Sequence, residues 1–523
     1  MNSNDLDEEF IKKLTDENIQ QIFDDLITRK TNLLDGKIMI AKGVDGIDYL
    51  TFKKDIIIHT DIIRSKGTLG KYTFKPFKEI TVPKAPFEKD QLAEAKIVGK
   101  IRVLSVSTIQ DTIFQEIISQ VIRPFAEKKF TDSMDLNSFA YRKNKSSKMA
   151  VQEIRKYIAQ GYMHVLDGDI EKFFDKIDHT LLMQKCELFF GKENKLIQKY
   201  IYRFMNVARI PDGKLREFKK SKGKNGIEKR LLGIPQGGVI SGLLANIFLY
   251  DFDLYIINNL SKIYDFKYIR YADDFVLLFR ESKDIETVYN KLKSFLEDEK
   301  LTLHKIGEKT KIIDLTLKNQ GILEFLGFTI SPRYLRVKES NVKKFYHRIE
   351  EILKEISAKD TKKYLRNVVL KIKPKIIGLE DMLTENGFCS ECHQLLQKRS
   401  WIGYFISIDD VRLLRNMDTT IRKMIYHDYF EKTKQHLKKK ELLEIKDKLP
   451  SLEKMYYTYK KQEKLVRTGK ISYCKCIRYF DKEKNEIVVS APEQIQNDVA
   501  ESTMENIVGK KNNDEIVFEL NSI

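Results

Sequence analysis

Two adjacent carboxylates, in Tyr271-Ala-Asp-Asp274, stand between two apolar runs, Phe266-Lys-Tyr-Ile-Arg270 and Phe275-Val-Leu-Leu-Phe279. Neighbouring residues on a flat strand face opposite ways, so presenting both acids to one site needs a turn. The pattern therefore predicts a β-hairpin with the acids at its tip. Two such charges repel unless a cation lies between them. Alone, an Asp-Asp turn reads as a solvated hairpin tip. A second acidic segment changes that reading. His164-Val-Leu-Asp-Gly-Asp-Ile170 runs into Glu171-Lys-Phe-Phe-Asp-Lys-Ile-Asp178, and Asp167 and Asp169, two apart, share one face of a predicted strand. Asp178 reads as the N-cap of the helix that follows, and Asp175 as a cap or turn residue rather than a ligand. A third element, Gly233-Ile-Pro-Gln-Gly-Gly-Val-Ile-Ser241, breaks into a helix at Leu243. Its glycines let a backbone approach a flat ligand closely.

The elements that must position these groups fall into five stretches. Residues 1–35 carry Phe10, Ile11, Leu14, Ile19, Ile22, Phe23 and Leu26 at helical spacing, which predicts an amphipathic helix. Residues 36–160 mix short strands with turns and then a long helix from about Thr108 to Lys128. Residues 161–335 alternate β-rich apolar runs with helices, an α+β pattern. Residues 336–470 read as helical and Lys-rich. From 471 to 523 the pattern weakens, and an Asn/Asp/Glu-rich tail is expected to be partly mobile.

Charge points to a polyanionic partner. The chain of 523 residues carries a net +18, yet residues 1–30 hold eight acids against four bases, and residues 479–523 ten against four. Setting both ends aside leaves +28 on the middle of the chain. Counterions released from nucleic acid would drive binding to such a body, although a merely Lys-rich composition would look the same. No apolar run is long enough for a membrane span, and the acidic N-terminus is unlike a signal or transit peptide. Five Cys in this length suit a reducing, cytoplasmic setting rather than a disulfide framework.

The ordered series Asp169-Ile…Phe-Phe-Asp, Ile-Pro-Gln-Gly, Leu-Leu-Ala-Asn246, Tyr-Ala-Asp-Asp274 and Phe325-Leu-Gly-Phe328 resembles the motifs of reverse transcriptases, above all bacterial ones of the group II intron type. Upstream, Gly43-Val-Asp-Gly46, Val82-Pro-Lys84 and Gly99-Lys-Ile-Arg-Val-Leu104 are similar to the fingers segments of that group. Downstream, Ser400-Trp-Ile-Gly-Tyr-Phe405 is similar to a stretch of its thumb. The resemblance spans roughly residues 36–435. It implies a right-hand polymerase of α+β class: an N-terminal helical segment (1–35), fingers (36–160), a palm with an antiparallel sheet (161–335), a helical thumb with basic helices (336–470) and a C-terminal extension (471–523).

The family's chemistry implies two Mg²⁺ per active site, with Mn²⁺ as a substitute, held by Asp169, Asp273 and Asp274 together with the carbonyl of Ile170. Asp167 competes with Asp169, but the family's acid precedes an aromatic gate by five positions, which selects Asp169 and Phe174. That ring would sit beneath the sugar of the incoming nucleotide and favour dNTPs; the plainer reading places Phe173 and Phe174 both in the core. Lys100 and Arg102 would grip the triphosphate. Gln236 and Gly237 would lie against sugar and base. Lys309 would protonate the leaving pyrophosphate, with Lys311 as its rival. Arg142 would support template or nucleotide, and Tyr271 with Phe325, Leu326 and Gly327 would contact the primer end. The implied partners are an RNA template, dNTPs and a DNA product, with no membrane; a homo-oligomer is compatible with the sequence but not readable from it.

Departures from the intron pattern matter. This chain has Ser241-Gly-Leu-Leu-Ala-Asn246 where intron enzymes have Ser-Pro-Leu-Leu-Ala-Asn, and Arg102-Val-Leu and Gln110-Asp-Thr112 replace their Arg-Pro-Leu and Arg-Asp-Arg. The likeness is therefore strongest to divergent, unassigned or defence-associated bacterial enzymes that copy a structured noncoding RNA against phage. The alternative is an intron-type maturase or a catalytically retired RNA-binding scaffold. Cys389-Ser-Glu-Cys392-His393 and Cys474-Lys-Cys476 lie about 80 residues apart and the second pair has unusual spacing, so reduced thiols are expected rather than structural zinc. Cys186 reads as core.

Overall fold

The computed structural model describes residues 6–490 apart from 31–37, 85–90, 136, 318–320, 379–387, 390–391, 397–399, 475–476 and 482–485. Two compact units form: residues 1–27 with 40–340, and residues 28–39 with 341–523.

The first unit is built round a four-stranded antiparallel sheet. Ten of its strands, in chain order, are β1 (Phe77–Pro83), β2 (Ile101–Val106), β3 (His164–Asp169), β4 (Arg209–Ile210), β5 (Phe266–Tyr271), β6 (Asp274–Phe279), β7 (Lys311–Asp314), β8 (Leu323–Phe325), β9 (Phe328–Ile330) and β10 (Leu335–Val337). The central sheet runs β5-β6-β3-β7. Phe275 through Phe279 are all buried, because helix Ser147–Ala159 packs on β5 and β6 while Phe252 of helix Tyr250–Asn258 meets Phe275 edge-on at 5.5 Å. A strand covered on both faces reads as a continuous apolar run rather than an alternating one. A second sheet runs β2-β1-β4, and a third β10-β9-β8.

Helix Ile109–Met134 is the unit's spine. Thr108 caps it, its side chain accepting from the Asp111 amide, an interaction worth about 1 kcal/mol. Ile113, Phe114, Ile117, Ile118, Val121 and Ile122 are buried along it, each contributing about 1.5–3 kcal/mol. The helix outruns its expected end at Lys128 and accommodates Pro124 inside it. The single helix expected over 1–35 is instead two, Leu6–Lys12 and Asp16–Lys30, the Thr15 hydroxyl accepting from the Asn18 amide to start the second. The apolar stripe is buried as its spacing implies, except Ile11, which is 43% exposed.

The second unit is mainly helical: Glu339–Lys354 leads into it, followed by Thr361–Ile377, Val411–Thr433, Lys439–Lys448 and Leu452–Arg467. Asp418, on the third of these, accepts from the Leu452 amide at 2.8 Å and from Ser451 Oγ at 2.6 Å, so a carboxylate from one helix sits on the positive N-terminus of another. Tyr364 and Tyr459 donate from buried hydroxyls to the carbonyls of Ile425 and Ile377. The weak pattern after residue 471 conceals a hairpin, β11 (Ile477–Asp481) with β12 (Glu486–Ser490). The tail from 491 lies outside the described residues.

Candidate active site

Strand register assembles the acids. Asp169 ends β3 directly opposite Asp274, which opens β6, and Tyr271 ends β5 opposite the same residue. Between them Ala272 adopts φ +61°, a left-handed conformation that costs a non-glycine residue about 1–3 kcal/mol and turns Asp273 back over the sheet. Carboxylate oxygens of Asp169, Asp273 and Asp274 all lie within 4.8 Å of one another.

A buried network holds the turn. The fully buried Arg270 pairs with both oxygens of Asp253, at 2.8 and 2.5 Å, and donates to Asn246 Oδ1 and to the Ala272 carbonyl, each at 3.0 Å. Tyr268 OH completes the satisfaction of Asp253 at 2.7 Å, and Asn246 anchors to the Ala140 carbonyl. Sequence reasoning missed Arg270 and Asp253. The available signal was a charge whose immediate neighbours, Ile269 and Tyr271 or Phe252 and Leu254, are apolar or aromatic, since a charge buried there must be paired. Gly168 is fixed by packing: a Cβ at this position would stand 2.4 Å from the Phe275 ring.

Concentrated negative charge marks the site. Burial, then the nearby Asp169, raise the Asp273 carboxyl, while Arg102 and Lys84 pull it back. Asp274 is pushed up to about 7 by the protein shielding it and then by Asp273, Asp169 and Asp167, although its side chain still reaches solvent. Asp167 rises to about 6 through burial, with Lys311 opposing. Asp167 thus stands off the triad, paired in register with Lys311, whereas Lys309 Nζ contacts Asp169 at 2.8 Å. His304 Nε2, buried, lies 3.5 Å from the same Asp169 oxygen without a hydrogen bond. Neither His304 nor Lys84 was assigned a role from sequence. An all-oxygen donor set of three converging acids, two of them made harder to ionise by burial and then by neighbouring acids, fits a hard divalent cation.

Phe173 is buried, whereas Phe174 is only partly covered and lines a cavity of about 410 Å³ with Arg123, Tyr141, Gly237 and Gly242. Tyr141, itself at φ +57°, packs edge-on to Phe174 at 6.1 Å and lies so close over Gly242 that a Cβ there would be 2.4 Å from its ring. The Ile-Pro-Gln-Gly loop is tied to β2 by the Ser105 amide, which donates to the Gln236 carbonyl at 2.7 Å. Of its glycines, Gly233 and Gly238 abut the protein itself and Gly237 is exposed, so the expected close approach to a flat ligand narrows to Gly237. The Gln236 side chain donates to Asp175 at 3.3 Å. Arg102 is exposed on β2 and its charge reaches Asp273; Lys100 is exposed at the strand's entry, with no contact to the acids.

Arg142, expected to support template or nucleotide, lines the same cavity as Phe174 and Tyr141. Its buried guanidinium is spent on Glu127, Thr131 and the carbonyls of Met134 and Ser138, so it braces the loop that carries Tyr141. Ile170 has a buried side chain, and Tyr271 is half-buried. Phe325 is buried in β8, leaving Leu326 (φ +50°) and Gly327 (φ +82°) as the turn into β9. Glu324 and Lys338 beside that turn act electrostatically on Asp167. In the second unit three thiols stand closer together than their spacing in the sequence implies. Cys389, Cys392 and Cys474 converge, with sulfurs within 4.8 Å of one another, while Cys476 lies outside the described residues and Cys186 is buried in the first unit.

Residues 82–330, which hold all three acids, match the family described as reverse transcriptase (RNA-dependent DNA polymerase). Those residues form a reverse transcriptase domain, and the chain is similar in sequence to proteins of the group II intron-like type. It is 25% identical over 333 residues to Protein YkfC of Escherichia coli, covering 57% of this chain and 78% of that one. It is likewise 25% identical over 399 residues to the group II intron-encoded protein LtrA of Lactococcus lactis, covering 62% of this chain but only 59% of the relative's length. Among solved structures, telomerase from Candida albicans with a fragment of telomeric RNA aligns at 14% identity and a TM-score of 0.40, over 80% of this chain and 68% of that one. No described helix is long and apolar enough to cross a membrane.

Proposed function

We propose that this protein copies an RNA template into DNA at the centre formed by Asp169, Asp273 and Asp274, taking dNTPs and extending a primer hydroxyl. The observation that carries this reading is the convergence of the three carboxylates beside the Phe174–Tyr141 cavity. Mg²⁺ held by the three acids and the Ile170 carbonyl supplies, when bound, activation of the primer hydroxyl and neutralisation of triphosphate charge. Arg102, with Lys84 and Lys100 beside it, binds the triphosphate, where Arg offers a planar fork to phosphate oxygens. Phe174 excludes a 2′-hydroxyl. Gly237 and Gln236 back the sugar and base. Lys309, whose ammonium contacts Asp169, gives its proton to the departing pyrophosphate. The turn Leu326-Gly327 and Tyr271 support the primer end, and Arg142 acts through the loop it braces.

For the biological setting we favour a dedicated structured noncoding RNA copied in the bacterial cytoplasm as part of anti-phage defence, rather than intron mobility. Support comes from the drift at Ser241-Gly-Leu, Arg102-Val-Leu and Gln110-Asp-Thr112 away from the intron pattern. An extension assay with RNA template, DNA primer, dNTPs and Mg²⁺ tests the activity. Extension is expected; its absence on every template, co-purified RNA included, transfers the protein to the scaffold reading. Sequencing the nucleic acid that co-purifies tests the setting: one abundant structured RNA is expected, and a spliced intron would contradict it.

A further inference from the structure

We propose that Cys389, Cys392 and Cys474 form a structural Zn²⁺ site that staples the segment leading into β11 onto the helical second unit. Three observations carry it. First, the three sulfurs lie within 4.8 Å of one another although about 80 residues separate the pair from the third. Tetrahedral zinc with Zn–S of about 2.3 Å sets sulfurs about 3.8 Å apart, so small side-chain adjustments bring them to bonding distance.

Second, the backbone shapes a knuckle. Phe388 and Leu395 bridge antiparallel, the Cys389 amide donates to the Gln394 carbonyl at 2.9 Å, and the His393 amide donates back to the Cys389 carbonyl at 3.0 Å. His393 takes φ +53° to close this turn, a conformation that a side chain adopts only when its surroundings hold it there. These hydrogen bonds fold His393 and Gln394 back onto Cys389, in keeping with the short distance between the Cys389 and Cys392 sulfurs.

Third, Cys474 is delivered to that turn by its own hydrogen bonds. Leu395 bridges in parallel to Tyr473, its amide donating to the Ser472 carbonyl at 3.0 Å, and the Cys474 amide donates to the Leu395 carbonyl at 2.7 Å. Ser472 also binds Gln394 Oε1 through its amide and its hydroxyl, at 2.8 and 2.9 Å. Cys389 is buried and the other two are half-buried, which admits an ion while keeping bulk water from most of its shell. Soft thiolate donors in this number select zinc over magnesium, so the site and the acid triad take different metals. Metal bound here closes a long loop and stabilises the folded second unit by its binding free energy.

The test uses the full chain purified without chelator from zinc-supplemented medium, with metal measured by mass spectrometry. About one zinc per chain is expected, falling below a tenth in Cys392→Ser and in Cys474→Ser while Cys186→Ser, outside the cluster, keeps its metal. Because a cysteine variant can fail to fold, Co²⁺ exchange into the unmodified protein supplies a second readout, with an intense thiolate-to-cobalt charge-transfer band expected. Wild-type protein with less than a tenth of an equivalent of zinc and no such band overturns the proposal. So does zinc retained in both cysteine variants, or a disulfide between any two of the three cysteines.

Discussion

Arg270 donates to the carbonyl oxygen of Ala272, two residues along, at 3.0 Å, from a side chain with no solvent exposure. This one bond joins the buried ion pair with Asp253 to the strained turn that carries Asp273. The left-handed Ala272 is held by an interaction whose charge is already neutralised elsewhere. The cost of burying the guanidinium is thus offset by Asp253, and its spare donors fix backbone geometry.

Arg270→Met should destabilise the protein by about 3–5 kcal/mol, because Asp253 would be left as an uncompensated buried charge. Arg270→Lys keeps a charge but cannot reach Asp253, Asn246 and Ala272 together, so it should lose extension activity beyond what its smaller stability loss explains. Urea denaturation alongside primer extension checks both. A Met variant as stable as the parent would remove the network from the account.

Phe174→Ala should raise rNTP incorporation relative to dNTP, by roughly thirtyfold if the ring's exclusion is worth about 2 kcal/mol. The comparison is Phe173→Ala, which should instead cost about 3–5 kcal/mol of stability through its buried ring. Ratios of kcat/KM for the two sugars decide. A ratio moved by the Phe173 variant and not by the Phe174 variant would shift the register by one residue and reopen the choice of Asp169 over Asp167.

Lys309→Gln should lower kcat by about a hundredfold or more, as expected on losing a general acid, with the loss shrinking for nucleotides whose leaving group needs no protonation. Lys311→Gln should stay within about tenfold of the parent, since Lys311 faces Asp167 across the sheet. Single-turnover rates separate the two. Equal losses would indicate shared charge stabilisation and no specific proton transfer.

The hairpin and its acids were legible because their signals are local: two apolar runs, a two-residue turn and a period-two pair of carboxylates. The Asp178 cap was legible for the same reason, and its side chain does accept from the Leu181 amide at 3.0 Å. Arg142 and Arg270 were not, because a charged residue's burial depends on partners such as Glu127 and Asp253, distant in sequence, that only the fold supplies. The thiol cluster escaped likewise: nothing near Cys392 announces that Leu395 will bridge to Tyr473. Gly233 and Gly238 looked like ligand contacts and serve close packing, since a glycine's small size reads identically for either purpose.

Asp111 supplies a pH signature. Buried under Tyr72 OH at 2.7 Å and the Lys75 amide at 3.1 Å, its carboxyl is pushed up to about 6, chiefly by burial. The folded state therefore holds its proton more tightly than the unfolded chain. Its contribution is fully present below about pH 4 and is lost as pH rises towards 6, a change of about 3 kcal/mol. Denaturation of Asp111→Asn across pH 4 to 7 should lack that descent, whatever its offset. Parallel curves for variant and parent would contradict the assignment.

The central claim is tested most directly by the rate of dNTP incorporation on a primed RNA template with Asp273→Asn and Asp274→Asn, alongside their unfolding curves. Asn keeps the side chain's shape and removes the charge that attracts a divalent cation, so incorporation should fall by several powers of ten while folding and RNA binding persist. Folded variants that retain activity within about tenfold of the parent would place the chemistry elsewhere.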